Sequence, residues 1–226
     1  MEKTFETATA PAKRGRPYGG VAPEARDAER RDALIRAGTC VFGTVGFRKA
    51  TVRAICQEAK LNDRYFYAAF DSTEALLRAT YQQHAEDLRA QVAEATAAVD
   101  STLEARVDAG LHAFFAFLRD PCAARVLLLE VMGVSPETDA TYQRNLLEFG
   151  RQIMANAQPP GAPDVDDADL RADLRADLRI IGLALVGALT NVGAAWLLTG
   201  YRDPEEKMVR NCRQVLLGTL QAMAPR

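Results

Sequence analysis

Between Arg31 and Leu77 the apolar positions recur at helical spacing and are interrupted by turn residues, which divides the stretch into a series of helices. Ala33, Leu34, Ile35, Gly38, Val41, Phe42 and Val45 share one period, and Gly46 comes next, where a left-handed C-terminal cap belongs. The first helix therefore ends near Val45, and it starts near Pro23-Glu24, because proline suits a first turn. Thr51 offers a hydroxyl cap to a short helix that carries Val52, Ile55 and Ala59 inward. Lys60-Leu61-Asn62 leaves room only for a tight turn, with Leu61 tucked into the core and Asn62 placed to cap another helix. That helix, Asp63 to about Ala69, buries Phe66 and Phe70 and turns Asp63, Arg64, Tyr65, Tyr67 and Ala68 outward. Asp71, with Glu74 three residues later, has the spacing of a capping box for a further helix.

Helical patterning continues to the C-terminus, which predicts an all-α chain. A long helix runs from Glu74 to about Val99, a second from Leu103 to Arg119, and Asp120-Pro121 separates it from a third, Cys122 to Met132. Glu137 to Ala157 is the next, and the Pro- and Asp-rich run 158–167 reads as an exposed acidic connection. Ala168 to Arg179 repeats Ala-Asp-Leu-Arg three times and opens a further helix. Ile180 to Leu198 then runs nineteen residues without a charge, a length that touches the threshold for a membrane span. Thr190 and Asn191 in mid-segment, the many Gly and Ala residues and the missing aromatic flanks argue against a span. The segment reads instead as a helix buried all round in an oligomer interface, where Gly182, Ala184, Gly187, Ala188, Gly193 and Ala194 admit a partner helix. A last helix spans Pro204 to about Met223.

Two short helices across a three-residue turn, the second with a charged and aromatic outer face, are what a helix-turn-helix requires. The order Ala37, Phe42, Gly46-Phe47, Thr51-Val52, Ile55, Ala59, Leu61, Phe66-Tyr67, Phe70, Ser72, Glu74 and Leu76 resembles the tetracycline-repressor (TetR) family of bacterial transcriptional regulators. The resemblance covers roughly the first third of the chain. It departs at Lys60, where the family usually has a turn glycine, and at Ala69 and Thr73, where the family often has a histidine and a lysine on phosphates. The domains expected are an arm over 1–22, a three-helix DNA-binding domain over 23–72, and a helical effector-binding and dimerisation domain over 73–226.

Charge agrees with that division. Residues 1–80 hold 14 Lys and Arg against 10 Asp and Glu, whereas the chain as a whole is at −2. The N-terminal third thus suits a polyanion although the whole does not. The arm holds Lys13-Arg14-Gly15-Arg16-Pro17. Arg14 and Arg16 either enter an A·T-narrowed minor groove, in the manner of an AT-hook, or form a solvated basic tail. In the reading helix Arg64 has the planar fork that takes both acceptors of a guanine edge. Tyr65 and Tyr67 can pack on thymine methyls or donate to phosphates, and the resemblance assigns Tyr67 to a phosphate. Asp63 either accepts from a cytosine amino group or favours the positive helix start it occupies. Thr51, Asn62, Arg48 and Lys49 complete the expected DNA-binding set.

Four scattered cysteines, two histidines and no Ser/His/Asp set, phosphate loop or metal cluster leave no enzyme, metal or cofactor expected. Met1 to Pro23 is polar throughout, so a cytoplasmic protein is expected. The resemblance implies a homodimer through the last two helices, for which Gly187, Asn191, Ala194, Val209, Leu216 and Leu220 are candidates. It also implies a small apolar effector, for which His112, Phe115, Met132, Tyr142, Phe149 and Trp196 are candidates, with Asn145 as a further polar group. Partners are then double-stranded DNA and that effector, with no membrane; an architectural or membrane-tethered DNA-binding protein is the alternative.

Overall fold

The computed structural model describes residues 23–99, 102–157 and 168–223. Arg14, Arg16 and the acidic connection lie outside them. Among the described residues the secondary structure is helical throughout: α1 (Pro23–Val45), α2 (Val52–Ala59), α3 (Asp63–Ala69), α4 (Thr73–Ala97), α5 (Leu103–Phe117), α6 (Pro121–Leu128), α7 (Pro136–Ala157), α8 (Ala168–Leu198) and α9 (Glu205–Ala222), with one 3-10 turn over Phe47–Lys49.

α1, α2 and α3 pack on one another around Leu34, Phe42, Ile55 and Phe66, each fully buried. The turn between α2 and α3 closes on Lys60, whose φ of 56° and ψ of 37° put a non-glycine residue in the left-handed region. Lys60 N donates to the Cys56 and Gln57 carbonyls and Leu61 N to Cys56 O, which uses the last free carbonyls of α2. The lysine thus accepts the conformation that a glycine would take without cost.

α4 leaves this head and enters the larger domain. Its N-cap is Ser72, whose hydroxyl accepts from Ala75 N at 3.0 Å. This corrects the capping box placed on Asp71. Glu74 is drawn away from the helix start because it accepts from Ser135 and from Thr138 Oγ1 (2.8 Å) at the opening of α7 and pairs with Arg78. These donors hold its carboxyl below the ordinary value of 4.5.

Two glycine crossings fix the helix layout. A Cβ on Gly43 of α1 would lie 2.5 Å from the Cys122 Cα of α6, and one on Gly182 of α8 would lie 2.8 Å from the Gly150 carbonyl oxygen of α7. The helix breaks fall as the pattern predicts within a few residues, except that α6 stops at Leu128 rather than Met132. Met132 is left 61% exposed.

Candidate nucleic-acid interface and ligand cavity

α3 presents a short polar face held by its neighbours. Asn62 caps it, its Oδ1 accepting from Tyr65 N at 3.3 Å, while Phe66 and Phe70 root the helix in the core. Arg64 is exposed and Tyr67 is 60% exposed. Asp63 stands exposed in the first turn. Thr51 is exposed as well and caps α2 by accepting from Ala54 N at 3.2 Å. Arg48 and Lys49 extend the same surface from the 3-10 turn.

Tyr65 is less free than its position predicts. The Arg30 guanidinium lies over its ring at 4.2 Å, which leaves it half-buried. Arg31 behaves similarly toward the far end of α3, sitting 4.3 Å over Phe70 and donating to Ala69 O at 3.0 Å. Neither arginine's contact follows from the helical pattern of α1. Their partners are far away along the chain, and local periodicity carries no sign of them.

A second joint ties the head to the rest. The Glu130 carboxylate, 13% exposed, accepts from Phe47 N and from Arg125 Nε, each at 2.7 Å. Arg125 also donates to Thr44 O at 3.4 Å. The end of α6 therefore grips the end of α1 and the start of the 3-10 turn.

The larger domain leaves a cavity of about 70 Å³, partly open to solvent, which a ligand of ordinary size fills only if the surrounding helices give way. Val107, Leu111, Phe114, Phe149, Leu189 and Leu216 give it apolar walls, and Thr96, Arg106, Gln152 and Asn156 make it polar at one end. Of the aromatic candidates only Phe149 lines it, and Tyr142 lines a neighbouring cleft together with Phe149. Phe115 is fully buried between Phe114 and Trp196, and Trp196 packs on Tyr201 while its indole N–H donates to Asp203 O. Both are core. His112 is exposed beside Glu206, and Met132 lies outside altogether. Asn145 is buried with its amide engaged by Arg89, Gln82 and Thr141 O, so no part of it faces a ligand.

α8 is buried on one face only. Leu185, Val186, Leu189, Gly193 and Trp196 face inward, and Ala184, Gly187, Ala188, Asn191, Ala195 and Leu198 face outward. Within the described residues about a third of its apolar stretch is buried in the chain itself, which leaves the outward face open to a partner helix. On α9, Val209, Leu216 and Leu220 are buried in the chain itself, on the side that meets α5. The outward positions are Asn211, Val215 and Gly218. Ala194 is half-buried, and Gly187 and Asn191 are exposed as expected.

The family model described as "Bacterial regulatory proteins, tetR family" matches residues 34–80. That is the segment from the core of α1 through α3 into α4. Those residues carry the DNA-binding segment of the TetR family. The HTH-type transcriptional regulator UidR of Escherichia coli K12 is similar to it, 26% identical over 146 residues, 61% of this chain and 72% of UidR. Among solved structures, the fatty acid degradation regulator FadR of Bacillus halodurans superposes with a TM-score of 0.67 at 18% identity, over 87% of this chain and 97% of that one. FadR of Bacillus subtilis, solved with stearoyl-CoA, gives 0.67 at 14% identity over 82% and 96%. A TetR-family protein is a helix-turn-helix transcriptional regulator rather than an enzyme, and the all-α architecture with an N-terminal DNA-binding head is the fold these structures share.

Proposed function

We propose that this TetR-family regulator is a cytoplasmic, dimeric repressor that occludes a palindromic operator and is controlled by a small, mainly apolar effector. Residues 23–72 act as the DNA-binding head, 73–226 as the effector and dimer domain, and 1–22 as a basic arm. The observation that carries the reading is the pairing of an exposed α3 face on a rooted helix with an unpartnered, small-residue face on α8 and α9 in the same chain. Arg64 reads a base edge, with Asp63 and Tyr65 beside it. Tyr67, Thr51, Asn62, Arg48 and Lys49 position the head on the backbone, and Arg14 and Arg16 enter an adjacent groove. A twofold dimer built on the α8 and α9 faces places two α3 helices in successive major grooves, about 34–36 Å or a multiple apart. The effector occupies the cavity between α4, α5, α7, α8 and α9; that the similar FadR of Bacillus subtilis was solved with stearoyl-CoA supports a ligand role for this domain. It releases DNA only to the extent that it favours a spacing unmatched to the duplex.

Selection of DNA from a random pool with the full-length chain at physiological salt tests the reading. An inverted repeat is the expected product. Enrichment of A·T content alone would mean an architectural protein instead.

A further inference from the structure

The polar end of the cavity has unmet hydrogen-bonding capacity. Arg106, on the first turn of α5, buries its Nε without an acceptor, and Gln152 of α7 buries its Oε1 without a donor. The orientation of the Gln152 amide is fixed, since its Nε2 donates to Arg89 O at 2.9 Å. The oxygen is therefore the atom of that amide left without a partner. A buried donor or acceptor without a partner is costly, and such pairs in native structures point to something that completes them.

The wall that holds these atoms is otherwise apolar. Among the described residues that line it, Arg106 is the one charged side chain and none is a carboxylate. A wholly apolar occupant would leave the guanidinium nitrogen and the amide oxygen unmatched. A dianionic phosphate would meet a single cation and remain under-compensated in a low-dielectric site. A carboxylate matches one guanidinium in charge and shape. Gln152 Oε1 repels such a head unless a hydrogen-bond donor stands beside it.

We infer that the effector is an amphipathic carboxylate, with a hydroxyl or N–H near its acid group, whose acid is held by Arg106, whose donor meets Gln152, and whose apolar body lies along Val107, Leu111, Phe114 and Phe149. This rests on the reading of the cavity as the effector site and gives that effector its chemistry.

Isothermal titration of the full-length protein with 3-hydroxydecanoate, decanoate and decan-1-ol tests it. Affinity is expected to fall in that order, with the alcohol at least about tenfold weaker than decanoate, since a charge-assisted hydrogen bond is lost. Arg106→Gln should remove the preference for the acids, and Arg106→Lys, which keeps the charge, should retain much of it. Retention by both variants of DNA binding without added compound shows that they are folded. An alcohol that binds as well as the acids, or a preference that survives Arg106→Gln, overturns the proposal while leaving the cavity as a site. Equal affinity for the two acids removes Gln152 from it. If none of the three binds, the reading of the cavity falls as well.

Discussion

Gly43→Ala is the substitution whose outcome the structure constrains most tightly. A methyl there would sit 2.5 Å from both Cα and Cβ of Cys122 and 2.9 Å from its sulfur, whereas carbon atoms pack best at about 3.5–4.0 Å. α1 and α6 would have to separate by about 1 Å, because a backbone atom cannot rotate out of the way. Overpacking of this kind costs about 1–3 kcal/mol, and the backbone contact puts Gly43 at the upper end. Replacing a mid-helix glycine by alanine returns about 1 kcal/mol, leaving a net loss of about 2 kcal/mol. For a chain of this size that lowers Tm by about 4–8 °C. Thermal denaturation monitored by circular dichroism measures it. Gly110→Ala is the control: its methyl meets nothing nearer than 3.4 Å, so Tm should hold or rise slightly. A Gly43→Ala protein as stable as the parent would refute the reasoning. So would full rescue by Cys122→Ala, which removes the sulfur but leaves the Cα and Cβ contacts in place.

The same geometry sets other outcomes. Arg64→Ala should weaken operator binding by about 1–3 kcal/mol and relax preference at one base position, as read by competition binding; unchanged affinity and preference would remove Arg64 from the base-reading role. Val215, 52% exposed on the outer face of α9, should not tolerate a buried charge in a dimer. Val215→Asp is expected to sediment as a folded monomer at micromolar concentration, and a persisting dimer would shift the interface elsewhere. Glu74 has a lowered folded-state pKa, so its stabilisation is complete above its unfolded value near 4.5 and is lost as pH falls through the folded value. The Tm gap between the parent and Glu74→Gln should therefore be constant from neutral pH down to about 5 and close below it; a gap that widens in acid would contradict the sign.

The helices were legible because each end has a local cause. Thr51 and Asn62 cap through their own side chains, and Lys60 closes α2 within a three-residue turn. The cap at Ser72 was misread because Asp71 and Glu74 have the right spacing, and only the arrival of Ser135 and Thr138 from α7 draws the carboxylate away. Aromatic periodicity could not separate pocket from core. Phe115 and Trp196 sit in the same helical patterning as Phe149, and which of them borders empty space depends on how five helices meet. Arg106 and Gln152 lacked any signal, since they come from different helices 46 residues apart. On α9, Val209, Leu216 and Val215 are all apolar, so the pattern showed the stripe without saying which edge faced the chain's own interior.

The contact between Gly150 and Gly182 is a fulcrum. The two backbones touch there within the most extensively packed helix pair among the described residues, so α8 tilts only together with its packing on α7. α8 continues 16 residues beyond Gly182 to Leu198, an arm of about 24 Å, so a tilt of about 5° swings its far end by roughly 2 Å. One side of that arm, at Leu189, borders the cavity, and the other bears the outward face of Gly187, Ala188 and Asn191. A molecule that wedges against the inner side thus displaces the outer one with it.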